Sequence, residues 1–229
     1  MFYETVDNDH GLPHDPFKSC IVPRPIGWVS TVDGNGVVNL APYSFFNGVA
    51  GNPPMVMFAS NGRQPHGLKD TVTNCEETGE FVVNLAIWSL REHMNQTSAP
   101  VPRDIDEMEL ANLTIASSQL VKPPRVKDSP IHMECRHFQT IDLPCDKPDH
   151  RNVIVIGHVV GIHIDESLLV DGKVDLSRCR PIARLGYMEY ARVDYIFTLS
   201  DEIQDFVGET FSIQTYKIKK PIKNPLSYK

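Results

Sequence analysis

Residues 26–40 read Ile26-Gly-Trp-Val-Ser-Thr-Val32, then Asp33-Gly-Asn-Gly36, then Val37-Val-Asn-Leu40. The two flanking runs are rich in β-branched and aromatic residues, which favour extended strands. An Asn-Gly pair between two such runs is a strong hairpin signal, because both central positions of the tight turn need a positive φ. The stretch therefore predicts two antiparallel strands joined at Asn35-Gly36.

Outward from this hairpin, strand-like runs are far more numerous than helical ones. Further strands are predicted over residues 55–60, 81–86, 131–141 and 153–164, and a last strand or extended piece is predicted over residues 195–199. About seven strands with few helices between them indicate an antiparallel barrel rather than a parallel sheet. The predicted fold class is mainly β, with two or three short helices.

Three helices are predicted from capping signals and apolar spacing. The first covers residues 70–78, with Asp70 as its N-cap and Gly79 as its terminator. The second covers residues 89–97. The third covers residues 104–111, with Asp104 as its cap and Glu107 completing a capping box.

Composition and charge narrow the function. A net charge of −7 argues against a nucleic-acid binder, and no apolar run has the length of a membrane span. The five cysteines form no Cys-x-x-Cys pair, which favours free thiols in a reducing, cytoplasmic setting. The histidines lack metal-site spacing. One domain is expected over residues 1–229, with an extended lead-in (about 1–20) and an irregular basic tail (about 205–229).

A candidate phosphate site lies between a predicted strand and a predicted helix. Two cations and two hydroxyls surround one loop and helix start there, and a helix N-terminus attracts anions. This pattern suits a phosphate monoester. The alternative is that the two cations are ordinary surface charges and that Asp70 only caps. The residues concerned are Ser60, Arg63, Lys69, Asp70 and Thr71.

A second candidate segment covers residues 39–47, Asn-Leu-Ala-Pro-Tyr-Ser-Phe-Phe-Asn. Pro42 is expected to break a strand, leaving backbone groups that could hydrogen-bond the polar edge of a flat heterocycle. The alternative is a packed loop with Phe45 and Phe46 in the core. Arg24 lies between Pro23 and Pro25, whose fixed φ angles would order it for binding an anion.

Together these segments resemble the flavin reductase-like family, the FMN-binding split barrels related to flavoredoxin. The resemblance covers about residues 18–200. It rests on Pro-Arg-Pro-Ile-Gly-Trp-Val-Ser-Thr (23–31), residues 39–47, Asn-Pro-Pro (52–54), Lys-Asp-Thr (69–71), Gly-Glu-Phe-Val-Val-Asn-Leu (79–85) and Arg-Leu-Gly-x-x-x-Tyr (184–190).

The resemblance implies a split β-barrel homodimer with FMN near the subunit interface. It places Ala41, Pro42, Tyr43, Ser44, Phe45 and Asn47 along the flavin ring, and Ser60, Arg63, Lys69, Asp70 and Thr71 around the phosphate. Arg24 would lie near the cofactor, and Arg184 and Tyr190 would approach it. A second glycine is expected at position 187, where this chain has Tyr187, and the tyrosine would narrow the nicotinamide side of the pocket.

The expected activity is hydride transfer from NADH or NADPH to flavin, with FMN favoured over FAD by the resemblance alone. No side chain is predicted to be catalytic, because the flavin itself accepts the hydride. The alternatives are an FMN-holding electron carrier that serves a protein partner, a barrel that has lost its flavin, and a pyridoxamine-phosphate oxidase-like enzyme. A monooxygenase component is a possible redox partner.

Overall fold

The computed structural model describes residues 1–198, 202–204 and 210–212. The chain divides into two compact units, Met1–Asp194 and Tyr195–Lys229. The strands are β1 (Arg24–Pro25), β2 (Gly27–Val32), β3 (Val38–Tyr43), β4 (Phe46–Gly51), β5 (Pro54–Ser60), β6 (Glu80–Leu85), β7 (Ile115–Ala116), β8 (Arg125–Val126), β9 (Ile131–Leu143), β10 (Asn152–Ile164), β11 (Leu169–Val170), β12 (Lys173–Val174), β13 (Ile182–Arg184), β14 (Tyr190–Arg192), β15 (Glu202–Gln204) and β16 (Thr210–Ser212). The helices are α1 (Asp70–Thr78), α2 (Arg91–Gln96) and α3 (Glu107–Leu110), with 3₁₀ turns at Phe17–Cys20, Trp88–Leu90, Glu166–Leu168 and Leu176–Arg178.

Seven strands of the first unit form one antiparallel sheet in the order β3-β2-β6-β9-β10-β5-β4. Its two edge strands, β3 and β4, are separated along the chain only by Ser44 and Phe45. So short a connection spans about 10 Å at most, since an extended residue covers about 3.5 Å. The sheet must therefore curl until its edges meet. The Ala59 N–H donates to the Phe45 carbonyl at 2.7 Å next to this junction.

The predicted hairpin is present, although its turn differs from the prediction. Val32 pairs with Val38, so five residues form the loop. The Asp33 carboxylate accepts hydrogen bonds from the N–H groups of Asn35 and Val37, and only Gly36 has a positive φ, of 90°. The aspartate side chain organises a wider loop and replaces the predicted two-residue turn. Asp171-Gly172, a residue pair typical of tight turns, connects β11 and β12 and has positive φ at both residues.

Pro42 does not break its strand, which corrects the prediction. Strand β3 continues through it to Tyr43, with Pro42 opposite Trp28. The proline is tolerated because β3 is an edge strand, where a missing N–H removes no interior ladder bond.

Two predicted helix caps are also wrong. The N-cap of α1 is Lys69, and Asp70 is the first helical residue. Helix α3 begins at Glu107, and its cap is Asp106, whose carboxylate accepts from the N–H groups of Met108 and Glu109. Asp70 and Glu107 are drawn into the interior instead, at 6% and 4% exposure. The terminator of α1 is Gly79 as predicted, with φ of 74°.

The interior contains two apolar clusters, one on each side of the curled sheet's wall. One packs around Trp28, Leu40 and Met108, and the other around Phe58 and Phe81. Strand β10 bends next to Gly157, where an added Cβ would lie 2.3 Å from the Phe81 ring. Glycine at this position allows the ring to fill the barrel.

In the second unit, β15 and β16 pair as an antiparallel ladder, so the predicted tail is not wholly irregular. The lysines at 217, 219, 220, 223 and 229 lie outside the described residues, and the single-domain interpretation stays a prediction. None of the helices among the described residues has the length and apolar character that a membrane crossing requires.

Candidate cofactor site

Tyr43 joins the two predicted halves of the site. Its hydroxyl lies beside the hydroxyls of Thr71 and Ser60 in the interior. Burial raises the pKa of Tyr43 well above its ordinary value, and this outweighs the lowering effect of the neighbouring Thr71 and Ser60 hydroxyls. The end of β3 and the segment 60–71 are therefore adjacent, as the proposed cofactor requires.

Ser60 and Lys69 converge on a small surface depression. Its other walls are Gly62, Leu68, Val72, Arg151 and Val153. The side chain of Ser60 comes from the end of β5 and is only 3% exposed, and Lys69 immediately precedes α1. Among the described residues, the N–H groups of Asp70 and Thr71 at the start of α1 have no hydrogen-bond acceptor.

The charge of this depression is not balanced by neighbouring carboxylates. Burial lowers the pKa of Lys69, and Lys18 lowers it further by charge repulsion. Lys69 makes no salt bridge to any residue that the structure describes. Arg151, by contrast, is already paired with Asp142 and Glu76. A half-buried ammonium with neighbouring donors is suited to holding an anion.

The other residues predicted for the phosphate are placed differently. Arg63 is exposed, and its Nε donates to the Gln64 carbonyl at 3.4 Å. The Asp70 carboxylate pairs with His66 at 2.9 Å and with Arg103 at 3.9 Å. The hydroxyl of Thr71, which is 1% exposed, points inward and donates to Asn39 Oδ1 at 2.7 Å. The structure therefore brings Ser60 and Lys69 together at the surface and places Thr71 behind them.

The residues predicted along the flavin ring lie in β3, the two-residue junction and β4. Ala41 packs against the second core cluster, and Phe46 does so as well, with its ring 2.6 Å from where a Cβ on Gly27 would be. Phe45 is half-buried, and Arg24 lies 5.7 Å from its ring centroid. The exposed Asn47 accepts only from its neighbour, the Gly48 N–H.

A larger cavity, of about 530 Å³, lies on the other side of the junction. Its walls come from the lead-in, β3, α2 and the β13–β14 hairpin. Five of the predicted site residues line this cavity, namely Arg24, Pro42, Ser44, Arg184 and Tyr190. The remaining lining residues are Asp15, Lys18, Ile26, Met94, Asn95, Ser98, Tyr187 and Met188.

Arg24 holds three chain segments together. Its guanidinium donates to the carbonyls of Lys18, Ile21 and Leu185, and Nε donates to the Ser44 hydroxyl at 3.4 Å. Burial lowers the pKa of Arg24, and the Arg184 charge lowers it further. Because its donors are directed at backbone carbonyls, Arg24 fixes the lead-in and the 185 loop against the barrel.

Arg184 and Tyr190 lie together on the β13–β14 hairpin, as the motif spacing suggests. The guanidinium stacks 4.4 Å from the Tyr190 ring centroid and donates to the Tyr190 hydroxyl. It also donates to the Tyr187 carbonyl. Neither Arg184 nor Lys18 has a carboxylate partner within the described ranges, so the cavity wall carries net positive charge.

Gly186 and Tyr187 form the tight corner between β13 and β14. A Cβ on Gly186 would lie 2.1 Å from the Ser19 hydroxyl oxygen, so glycine is needed where the lead-in packs. Tyr187 has a φ of 51°, the left-handed region that favours glycine. Its ring forms part of the cavity wall and lies 5.6 Å from His14.

A family model described as a flavin reductase like domain matches residues 19–177. The chain belongs to this family. The match confirms the predicted flavin reductase-like oxidoreductase class, and it starts at the residue that packs on Gly186.

Solved structures of flavin reductase-like proteins agree with the fold. Nitrilotriacetate monooxygenase component B from Bacillus cereus is 34% identical, with a TM-score of 0.79 over 87% of this chain and 98% of that one. The 2-nitrobenzoate 2-nitroreductase of Pseudomonas fluorescens is 27% identical, with a TM-score of 0.75 over 87% and 95%. A split-barrel protein of Shewanella frigidimarina is 25% identical, with a TM-score of 0.71 over 86% and 93%. The predicted split barrel is confirmed.

Several lining residues of this flavin reductase-like chain were missed from the sequence. Lys18 lies in a lead-in that was interpreted as extended, and Met94, Asn95 and Ser98 lie in or just after α2 without any motif. Asn39 stands inside the segment 39–47 but was not taken as a site residue. Its hydrogen bonds to Thr71 and Glu107 could not be read from spacing.

Proposed function

We propose that this chain binds FMN and reduces flavin with NADH or NADPH, as a homodimer with the cofactor near the subunit interface. The observation that carries the proposal is the half-buried Lys69 ammonium beside Ser60 and the start of α1, with no salt-bridge partner among the described residues. This donor set suits the phosphate of FMN.

The flavin would supply the two-electron chemistry by accepting a hydride. The chain's own residues would hold and orient the cofactor. Lys69 and the first N–H groups of α1 would neutralise the phosphate, and Ser60 would donate from the floor of the depression. Ser44, which lines the larger cavity, and its neighbour Phe45 would face the ring, because they follow Tyr43, whose hydroxyl lies beside Ser60 of the phosphate depression.

The larger cavity would receive the electron donor. Lys18 and Arg184 line it, and cationic side chains suit the pyrophosphate of a dinucleotide. Tyr190 adds aromatic surface on the same wall, and Tyr187 would narrow the space left for the donor. The volume of about 530 Å³ lies within the range usual for small-molecule pockets, roughly 300–1,000 Å³.

A homodimer is supported by exposed apolar side chains on the barrel. Phe138 and Ile162, on the paired strands β9 and β10, are 58% and 57% exposed, and Val49 on edge strand β4 is 52% exposed. Large apolar side chains that are exposed on a barrel wall are candidates for burial against a second copy of the chain. Light scattering should give a mass of about twice the 25.8 kDa of one chain, and a mass of one chain would reject the dimer.

The first experiment identifies the cofactor. The purified protein is denatured, and the released chromophore is measured by mass spectrometry, with FMN expected. Release of FAD would correct the cofactor assignment. After reloading, anaerobic mixing with NADH or NADPH should bleach the flavin absorbance. Bleaching only by a reduced protein would instead favour the electron carrier.

The second experiment tests the phosphate depression. In flavin-free protein, Lys69→Ala should weaken FMN about 10–100-fold, the value of one charged hydrogen bond of about 1.5–3 kcal/mol. Riboflavin, which lacks the phosphate, should bind the variant and the wild type equally. The exposed Lys122→Ala is a matched control and should change neither affinity. Equal weakening of FMN and riboflavin by Lys69→Ala would show that this depression does not hold phosphate.

A further inference from the structure

A buried chain of side-chain hydrogen bonds starts at Glu107 in α3. One carboxylate oxygen accepts from the Leu40 N–H at 2.9 Å, and the other accepts from Asn39 Nδ2 at 2.9 Å. The other end of the same amide, Asn39 Oδ1, accepts from the Thr71 hydroxyl at 2.7 Å. All three polar side chains are nearly inaccessible, at 4%, 7% and 1% exposure.

The chain continues to the proposed phosphate depression. The Thr71 hydroxyl lies beside that of Tyr43, and the Tyr43 hydroxyl lies beside that of Ser60. Ser60 in turn lines the depression together with Lys69. A continuous polar path therefore connects α3, on one side of strand β3, with the residues that would contact the cofactor.

We propose that Glu107 is a positioning residue for the FMN phosphate, acting through Asn39 on the hydroxyls of Thr71, Tyr43 and Ser60. This inference rests on the proposed function. Glu107 touches neither the depression nor the larger cavity, and the predicted capping role does not account for its position, because Asp106 caps the helix.

The proposed positioning effect of Glu107 depends on the direction of the hydrogen bonds in this path. At a pH above its pKa the Glu107 carboxylate is ionised and can only accept, so it forces the amide of Asn39 to turn its NH₂ group toward it. The Asn39 oxygen must then face Thr71 and accept a hydrogen bond from its hydroxyl. Thr71 would then have only its lone pairs left for the neighbouring Tyr43 hydroxyl, and this would set the arrangement of the Tyr43 and Ser60 hydroxyls.

Glu107→Gln would reverse the direction of the hydrogen bond between Asn39 and Thr71. Its single oxygen can accept from the Leu40 N–H, but its NH₂ group would then face the NH₂ group of Asn39. Asn39 would have to flip, and it would donate to Thr71 instead of accepting from it. Burial raises the pKa of Glu107 to about 7, even though the bonds from Leu40 and Asn39 lower it. Glu107→Gln thus mimics the protonated acid without changing side-chain size.

The test compares FMN and riboflavin binding to flavin-free Glu107→Gln. FMN affinity should fall about fivefold, the value of one misplaced hydrogen bond of ordinary strength, with riboflavin affinity unchanged. The control is Glu109→Gln, an exposed residue on the same helix with the same change of charge, which should alter neither affinity. Unchanged FMN affinity in Glu107→Gln, or equal loss for both ligands, would overturn the proposal.

A second variant covers the case in which Glu107→Gln does not fold. Asn39→Ala removes the link between Glu107 and Thr71 and should produce the same selective loss of FMN affinity. If neither variant folds, the hydrogen-bonded path from Glu107 to Thr71 serves the stability of the fold, and the proposal fails. Lys69→Ala separates the two hypotheses. If it leaves FMN affinity unchanged, the phosphate assignment itself is wrong, whereas a selective Lys69→Ala effect with no Glu107→Gln effect rejects the positioning role alone.

Discussion

The small depression at Lys69 and the larger cavity at Arg24 both contain cations without a carboxylate partner among the described residues, but these cations have different hydrogen-bond partners. Lys69 stands at the start of α1 next to polar donors that have no acceptor in the described structure. Arg24 directs its guanidinium at three backbone carbonyls of its own chain. We infer from this contrast that the partners of a cation, and not its presence in a motif, distinguish a cation proposed to bind a ligand from one that holds the fold together.

The largest expected effect comes from Arg24→Ala, measured as stability rather than affinity. The substitution leaves the carbonyls of Lys18, Ile21 and Leu185 without their donor, and unmade buried hydrogen bonds cost about 1–3 kcal/mol each. Flavin-free protein should lose roughly 3 kcal/mol of unfolding free energy in urea. The exposed Arg63→Ala should change it by less than about 0.5 kcal/mol. If the order were reversed, with Arg63 costing more, the comparison would fail.

A smaller effect should follow from Gly186→Ala at the corner of the larger cavity. The added Cβ would lie 2.1 Å from the Ser19 hydroxyl oxygen, so the lead-in must move away. We expect a loss of about 1–3 kcal/mol, as for other overpacked sites, and faster proteolysis before residue 24. The compensating double variant with Ser19→Gly should recover part of that loss. Proteolysis at the wild-type rate would show that the lead-in is not held by this contact.

The smallest effect is expected for Tyr187→Gly, and it has the opposite sign. Glycine adopts the φ of 51° without the penalty that a tyrosine carries, so unfolding free energy should rise by up to about 1 kcal/mol. The same change widens the cavity and should lower the KM for the electron donor while leaving FMN affinity unchanged. A KM that stays constant would remove Tyr187 from the proposed donor side.

Much of the architecture was determined by local sequence. Alternating runs of β-branched residues marked the main strands, Gly79 marked the end of α1, and Asp171-Gly172 marked a tight turn. Each of these signals depends on the φ angles and side-chain spacing of residues close together in the chain. The family followed from the ordered motifs at 23–31, 39–47 and 184–190, because their order restricts the fold more than any one motif does.

Only the tertiary structure decided which of the motif residues face the candidate cofactor site. Pro42 remains in its strand because β3 is at a sheet edge, and Thr71 points inward because its hydroxyl donates to Asn39. Glu107 does not take part in the predicted capping box but accepts a hydrogen bond from Leu40 in β3. These outcomes depend on partners 32 to 68 residues away in the chain, such as Asn39 for Thr71 and for Glu107. Local propensity carries no information about such distant partners, so spacing could nominate candidate site residues but could not predict their orientation.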